Sequence, residues 1–134
     1  MSDSEDTLVN ADGTLDRKAV QNRIASLTEQ ASNDAATFDP PDEPPDEELA
    51  RTYLIEGAGQ VIGLYATVRT GGRLYSFSEE EFHELESAMN TWFQLYAACY
   101  GEEIEPAVSI RTAAQALIDT EDIEAVAQVV TDVP

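Results

Sequence analysis

The sequence predicts an all-α protein, a small helical bundle built on an antiparallel helical hairpin, with a tethered N-terminal amphipathic helix. Three apolar patterns carry that expectation. Phe82, Leu85, Met89, Trp92, Tyr96 and Cys99 recur in steps of three and four, the period of one helix face. Leu54, Val61, Leu64 and Val68, with Gly57 between the first two, do the same, beside a second seam of Ile55, Ala58, Ile62 and Tyr65. Val20, Ile24, Leu27 and Ala31 form a shorter stripe of the same kind.

Taken in order, residues 1–13 are acidic and polar with few apolar anchors, a composition that predicts disorder. Residues 14–32 read as the amphipathic helix, with Thr14 as N-cap. Residues 33–45 hold Pro40, Pro41, Pro44 and Pro45 among acidic residues. Proline removes backbone donors and pushes the residue before it out of the helical region, so this stretch predicts an extended, charged linker. Residues 46–134 are expected to form the helical domain.

Asp46 followed by Glu47 and Glu48 reads as an N-cap with acidic residues in the first turn, favourable to the helix dipole. The helix that follows is predicted to end at Gly71, although its internal glycines each cost about 1 kcal/mol relative to alanine. A rival reading pairs strands Val61–Arg69 and Arg73–Phe77 around Gly71 and Gly72, but it lacks period-two alternation. Ser78 and Glu81 form a capping box, with Phe77 and Phe82 as a hydrophobic staple, and Gly101 closes that helix. Ser109 opens a helix through Ile118, and Asp119 or Thr120 opens the last one. The helix from Asp46 is apolar over more than half its circumference. The C-terminal helices or a second protomer must therefore cover what one antiparallel neighbour leaves open.

The chain carries 27 acidic against 7 basic residues, a formal charge of -20. Such a charge opposes phosphate backbones and anionic membrane surfaces, so nucleic acid is not an expected partner. Lys18 is the only lysine. Acidic excess with lysine nearly absent resembles the composition of cytosolic proteins from salt-in halophiles, where the Debye length is about 3 Å or less. The acidity is accordingly read mainly as adaptation to solvent. Cys99 alone cannot form an intramolecular disulfide, which fits a cytoplasmic setting. No apolar run approaches the roughly 20 residues of a membrane span, and Met1–Asp6 lacks the order of a signal peptide.

Candidate chemistry is sparse. Gly57–Gly63 resembles a glycine-rich dinucleotide turn, but its spacing is one residue too long, and Gly59 and Gly63 read better as a site of close helix approach. Glu80 and His83 have the i, i+3 spacing of di-iron carboxylate bundles. With one histidine in the chain, only a homodimer could complete such a centre, as a metal-binding enzyme. Residues 111–130 suggest a degenerate helix-turn-helix of a transcriptional regulator, yet the second helix offers carboxylates where DNA calls for donors and positive charge.

The expected function is a non-enzymatic protein–protein interaction or regulatory module without a cofactor, acting on a protein partner or as a homodimer. The expected contact residues are Arg17, Lys18 and Arg23, on a mobile basic arm, and the off-seam aromatics Phe93 and Tyr100. Packing of that first helix onto its own acidic domain is the equally weighted alternative.

Overall fold

The computed structural model describes residues 16–71 and 76–132. Asp16, not the expected Thr14, caps the first helix, its side chain accepting from the Lys18 and Ala19 amides, and the acidic residues 1–13 and residues 72–75 lie outside the described residues. Helices α1 (Arg17–Thr37), α2 (Glu47–Tyr53), α3 (Gly59–Gly71), α4 (Glu79–Cys99), α5 (Ile110–Thr120) and α6 (Ile123–Thr131) make up the fold, and no strand occurs among the described residues. A π-helical turn, Leu54–Ala58, joins α2 to α3 without a break in right-handed backbone. Val61–Arg69 is thus helical and not a strand.

The hairpin is antiparallel. The Asp46 amide donates to the Cys99 carbonyl at 2.8 Å, placing the start of α2 at the end of α4. Tyr65 meets Phe82 at 6.3 Å between ring centroids, placing α3 beside the start of α4. The Ser78–Glu81 capping box forms, with Ser78 N donating to Glu81 Oε1 at 2.8 Å, and the Phe77–Phe82 staple closes at 5.3 Å.

Helix α1 lies on this hairpin. Val20, Ile24, Leu27 and Ala31 are all buried, with α4 as the principal neighbour. Arg17 pairs with Glu81 at 3.3 Å and Asp34 accepts from Trp92 Nε1 at 2.8 Å, so α1 runs parallel to α4. Arg23 donates to Gln60 and Gln30 to the Glu56 carbonyl, so α1 runs antiparallel to α3. The helix also extends beyond the expected residue 32, because Asn33–Thr37 contains no proline and Asp34 is anchored on Trp92. The proline segment is correspondingly shorter and docked. Pro44 Cγ would lie 3.2 Å from a Cβ on Gly101, whose φ of 84° closes α4 in the left-handed region.

At the C-terminus, Ser109 caps α5 as expected, but α5 continues to Thr120, and Asp122, not Asp119 or Thr120, caps α6. Glu121 takes the left-handed conformation between them. These two helices cover the remaining apolar face of the α2–α3 rod, and Arg51 pairs with Glu124 at 2.9 Å across the join.

Gly57 and Gly63 have opposite surroundings. An ideal Cβ on Gly57 would stand 2.5 Å from Trp92 Cδ2 and Cε2, so the π turn brings bare backbone against the indole. A Cβ on Gly63 would meet nothing within 4 Å, so the Gly59–Gly63 pair does not serve the close helix approach read from its spacing. On Gly59 a Cβ would stand 2.7 Å from the Leu54 carbonyl oxygen, a crowding that belongs to the π turn itself.

One hydroxyl in the α1 packing is costly. Thr28 Oγ1 is buried without a hydrogen-bond partner. Thr28→Val keeps the shape and removes that penalty, so it should stabilise the fold by about 1 kcal/mol in urea unfolding. An unchanged or lower midpoint would show that the hydroxyl is satisfied in solution.

Candidate interaction surface

The apolar seam turns one side of α4 inward, and the opposite side follows from the same period. Ser87, Asn90, Thr91 and Gln94, polar positions away from the seam, share one face with His83 and Ala98. The connection from Glu102 to Ser109 lies along this face. Asn90 holds it with both ends of its side-chain amide: Nδ2 donates to the Val108 carbonyl at 3.0 Å and Oδ1 accepts from the Val108 amide at 3.2 Å. Glu86 Oε2 accepts from the Ile110 amide at 3.0 Å, satisfying a donor at the open start of α5.

Two clefts remain between α4 and this connection. The first, of about 400 Å³, runs from His83 and Glu86 past Ser87 and Thr91 to Gln94 and Glu105. The second, of about 290 Å³, continues from Gln94 and Glu105 to Ala98, Glu102 and Ile104. Gln94 and Glu105 line both, so together they form a groove along α4. Its lining combines amides, hydroxyls, carboxylates and the His83 imidazole with apolar side chains such as Ile104, Pro106 and Val108, and holds neither lysine nor arginine.

The residues expected to face a partner are distributed differently. Phe93 is fully buried, which corrects its expected outward position. Reasoning from a single seam underestimates a helix with neighbours on several sides: α4 touches α1, α2, the π turn, α5 and α6, and it buries Phe93, Leu95 and Ala97 beside the seam itself. Tyr100 is half-buried at the end of α4, with its ring 5.2 Å from Tyr96. Arg17 and Arg23 make the intramolecular contacts that fasten α1, and Lys18 is exposed. The expected mobile arm is therefore a docked helix here, because its apolar stripe completes the core.

Glu80 and His83 are both exposed near the start of α4, and only His83 lines the groove. Among the described residues, no group of three or more His, Cys, Asp or Glu could hold a metal ion. The reason lies in the helical arrangement: the first-turn glutamates point to solvent, and Glu81 turns back onto Ser78 and Arg17. In the α5–α6 pair, Glu124 faces Arg51 and Arg111 is exposed.

Burial sets the chemistry of the inner ionisable groups. It pushes the Cys99 thiol up to about 11 and the Tyr53 phenol up to about 12, with Asp46 adding to the first and Cys99 to the second. Burial also raises Tyr96, helped by its neighbour Tyr100. Cys99 is thus a neutral thiol at physiological pH and a poor nucleophile. In each case the folded state favours the protonated form, whereas the unfolded chain ionises at its ordinary, lower pKa. Stability from these groups is complete below about pH 9 and is lost as pH rises from about 9 to 12. The urea midpoint should fall across that window, and Cys99→Ala should remove the earliest part of the fall.

Fold and surface together define an acidic helical bundle with a groove along its central helix. Within that class, the chain belongs to the family described as a domain of unknown function, DUF8055, which matches residues 18–134. The match begins inside α1, so α1 is part of the family's domain and not an appendage to it. No curated protein and no solved structure matches the chain. Among the described residues, no helix is long and apolar enough to cross a membrane.

The position of Ser87, Asn90, Thr91 and Gln94 opposite the α4 seam follows from the helical period, but a groove beside them does not. Its other wall, 102–109, has no periodic signal, and only Pro106 marked it as a connection.

Proposed function

We propose that the protein is a non-enzymatic interaction or regulatory module of the cytoplasm, engaging a protein partner through the groove between α4 and residues 102–109. The observation that carries this reading is the continuity of the two clefts through Gln94 and Glu105. From His83 to Ala98 the groove follows α4 for about 22 Å, at about 1.5 Å per residue. The amides, hydroxyls and carboxylates of its lining suit binding by hydrogen bonds and charge. The fastening of Arg17 and Arg23 to the body moves the weight of the proposal away from a basic arm.

The test is affinity purification of the tagged protein from an extract of its own cells kept in multimolar KCl, alongside Thr91→Arg and Lys18→Ala. Thr91 lies in the groove, and arginine there would fill it. A stoichiometric protein partner should copurify with the wild type and Lys18→Ala and be lost with Thr91→Arg. Recovery of the protein alone, or a partner that survives Thr91→Arg, would sink the groove as the docking surface. A dimer mass in light scattering that reverts to monomer in Thr91→Arg would identify a second copy as the partner.

A further inference from the structure

Resting on that reading of the groove, we propose that its partner element is an extended peptide segment carrying lysine or arginine. The polar face of α4 already receives main chain, since Asn90 pairs both ends of its side-chain amide with the backbone N–H and C=O of Val108. Gln94 lies one turn further along the same face and lines both clefts. It carries the same donor and acceptor pair, and its exposed side-chain amide makes no hydrogen bond to the described residues. An incoming backbone running beside the 102–109 connection would take the Gln94 amide as Val108 takes that of Asn90.

Length and charge agree with this occupant. A groove of about 22 Å accommodates six or seven residues of extended chain, at about 3.3 Å per residue. Glu102, Glu103 and Glu105 line the clefts together with Glu86, which already accepts from the Ile110 amide, and no lysine or arginine stands among the lining residues. Side chains that alternate along the segment would bring their cations to these carboxylates. An acidic or uncharged segment would leave the carboxylates facing repulsion or desolvation without compensation.

Titration of the ¹⁵N-labelled full chain with the heptapeptide KAKAKAK, followed by amide shifts in about 1 M KCl, tests this. The Debye length there is about 3 Å, so diffuse attraction to the acidic surface is suppressed while contacts within the groove remain. The expected result is saturable shifts confined to 83–109, absent with EAEAEAE. Affinity should fall by about tenfold, or about 1.4 kcal/mol, in the double variant Gln94→Ala, Glu105→Gln. The control Glu47→Gln, Glu48→Gln removes two carboxylates from the start of α2, outside the groove, and should bind as the wild type does. No binding, shifts spread over the whole surface, or equal weakening in the control would overturn the proposal, the last two indicating attraction to the acidic coat alone. A partner that copurifies and is lost with Thr91→Arg, combined with failure of KAKAKAK to bind, would leave the groove's role standing and refute only the basic, extended occupant.

Discussion

Gly57→Ala is expected to destabilise the protein by about 2–3 kcal/mol, the reverse of the usual effect of that substitution in a helix. Alanine normally gains about 1 kcal/mol over glycine through its lower backbone entropy. At Gly57 the new methyl group would stand 2.5 Å from two carbons of the Trp92 indole. The ring cannot easily retreat, because it is fully buried and its Nε1 donates to Asp34 at 2.8 Å. Overpacking of this kind costs about 1–3 kcal/mol and occasionally more. Gly63→Ala is the matched control, since a Cβ there meets nothing within 4 Å. It should be neutral or stabilise by up to about 1 kcal/mol. Urea midpoints measured at one KCl concentration decide the pair, and equal shifts in the same direction would refute the account of the π turn.

Raising KCl from about 0.1 M to about 2 M is expected to stabilise the fold by about 3–4 kcal/mol or more, roughly 10–20 °C in Tm at this chain length. The formal charge is -20, and two like charges 20 Å apart in water repel by about 0.2 kcal/mol. Each carboxylate faces many others at such distances, so the sum is a sizeable part of a folding free energy of about 5–15 kcal/mol. Among the described residues, the ion pairs Arg17–Glu81 and Arg51–Glu124 engage few of the carboxylates. Concentrated salt shortens the Debye length to about 3 Å and removes most of this repulsion. Thermal unfolding followed by circular dichroism across a KCl series measures the effect. A flat or falling Tm would show that the acidity is tolerated without salt and serves something other than solvent adaptation.

Much of the fold is legible residue by residue. The capping box at Ser78 and Glu81, the Phe77–Phe82 staple and the seam from Phe82 to Cys99 depend on neighbours within one or two turns, and they occur as their spacing implies. The α1 stripe was equally clear, but its destination was not. A four-residue apolar stripe is the same whether it packs on its own domain or on another, and the choice rests on Arg17 meeting Glu81 and Asp34 meeting Trp92, residues far apart in the chain. The π turn had no local signal beyond glycines at Gly57 and Gly59, which read as a weakness of the helix until Trp92 is seen above the first.

The candidate surface divides along the same line. The polar face of α4 follows from helical period alone, because whatever lies opposite an apolar seam must face away from the core. That this face is a groove depends on Asn90 and Glu86 reaching the backbone at Val108 and Ile110, across a segment with no period of its own. Phe93 shows the converse: one seam suggested exposure, and the helices around α4 buried it. By itself, then, the sequence determined helix positions, most of the helix caps, the charge and the inward side of each apolar stripe, all products of short-range geometry and composition. The tertiary structure decided where α1 rests, why Gly57 is bare and where the molecule is concave, because each of these is set by side chains that meet only after the chain has folded.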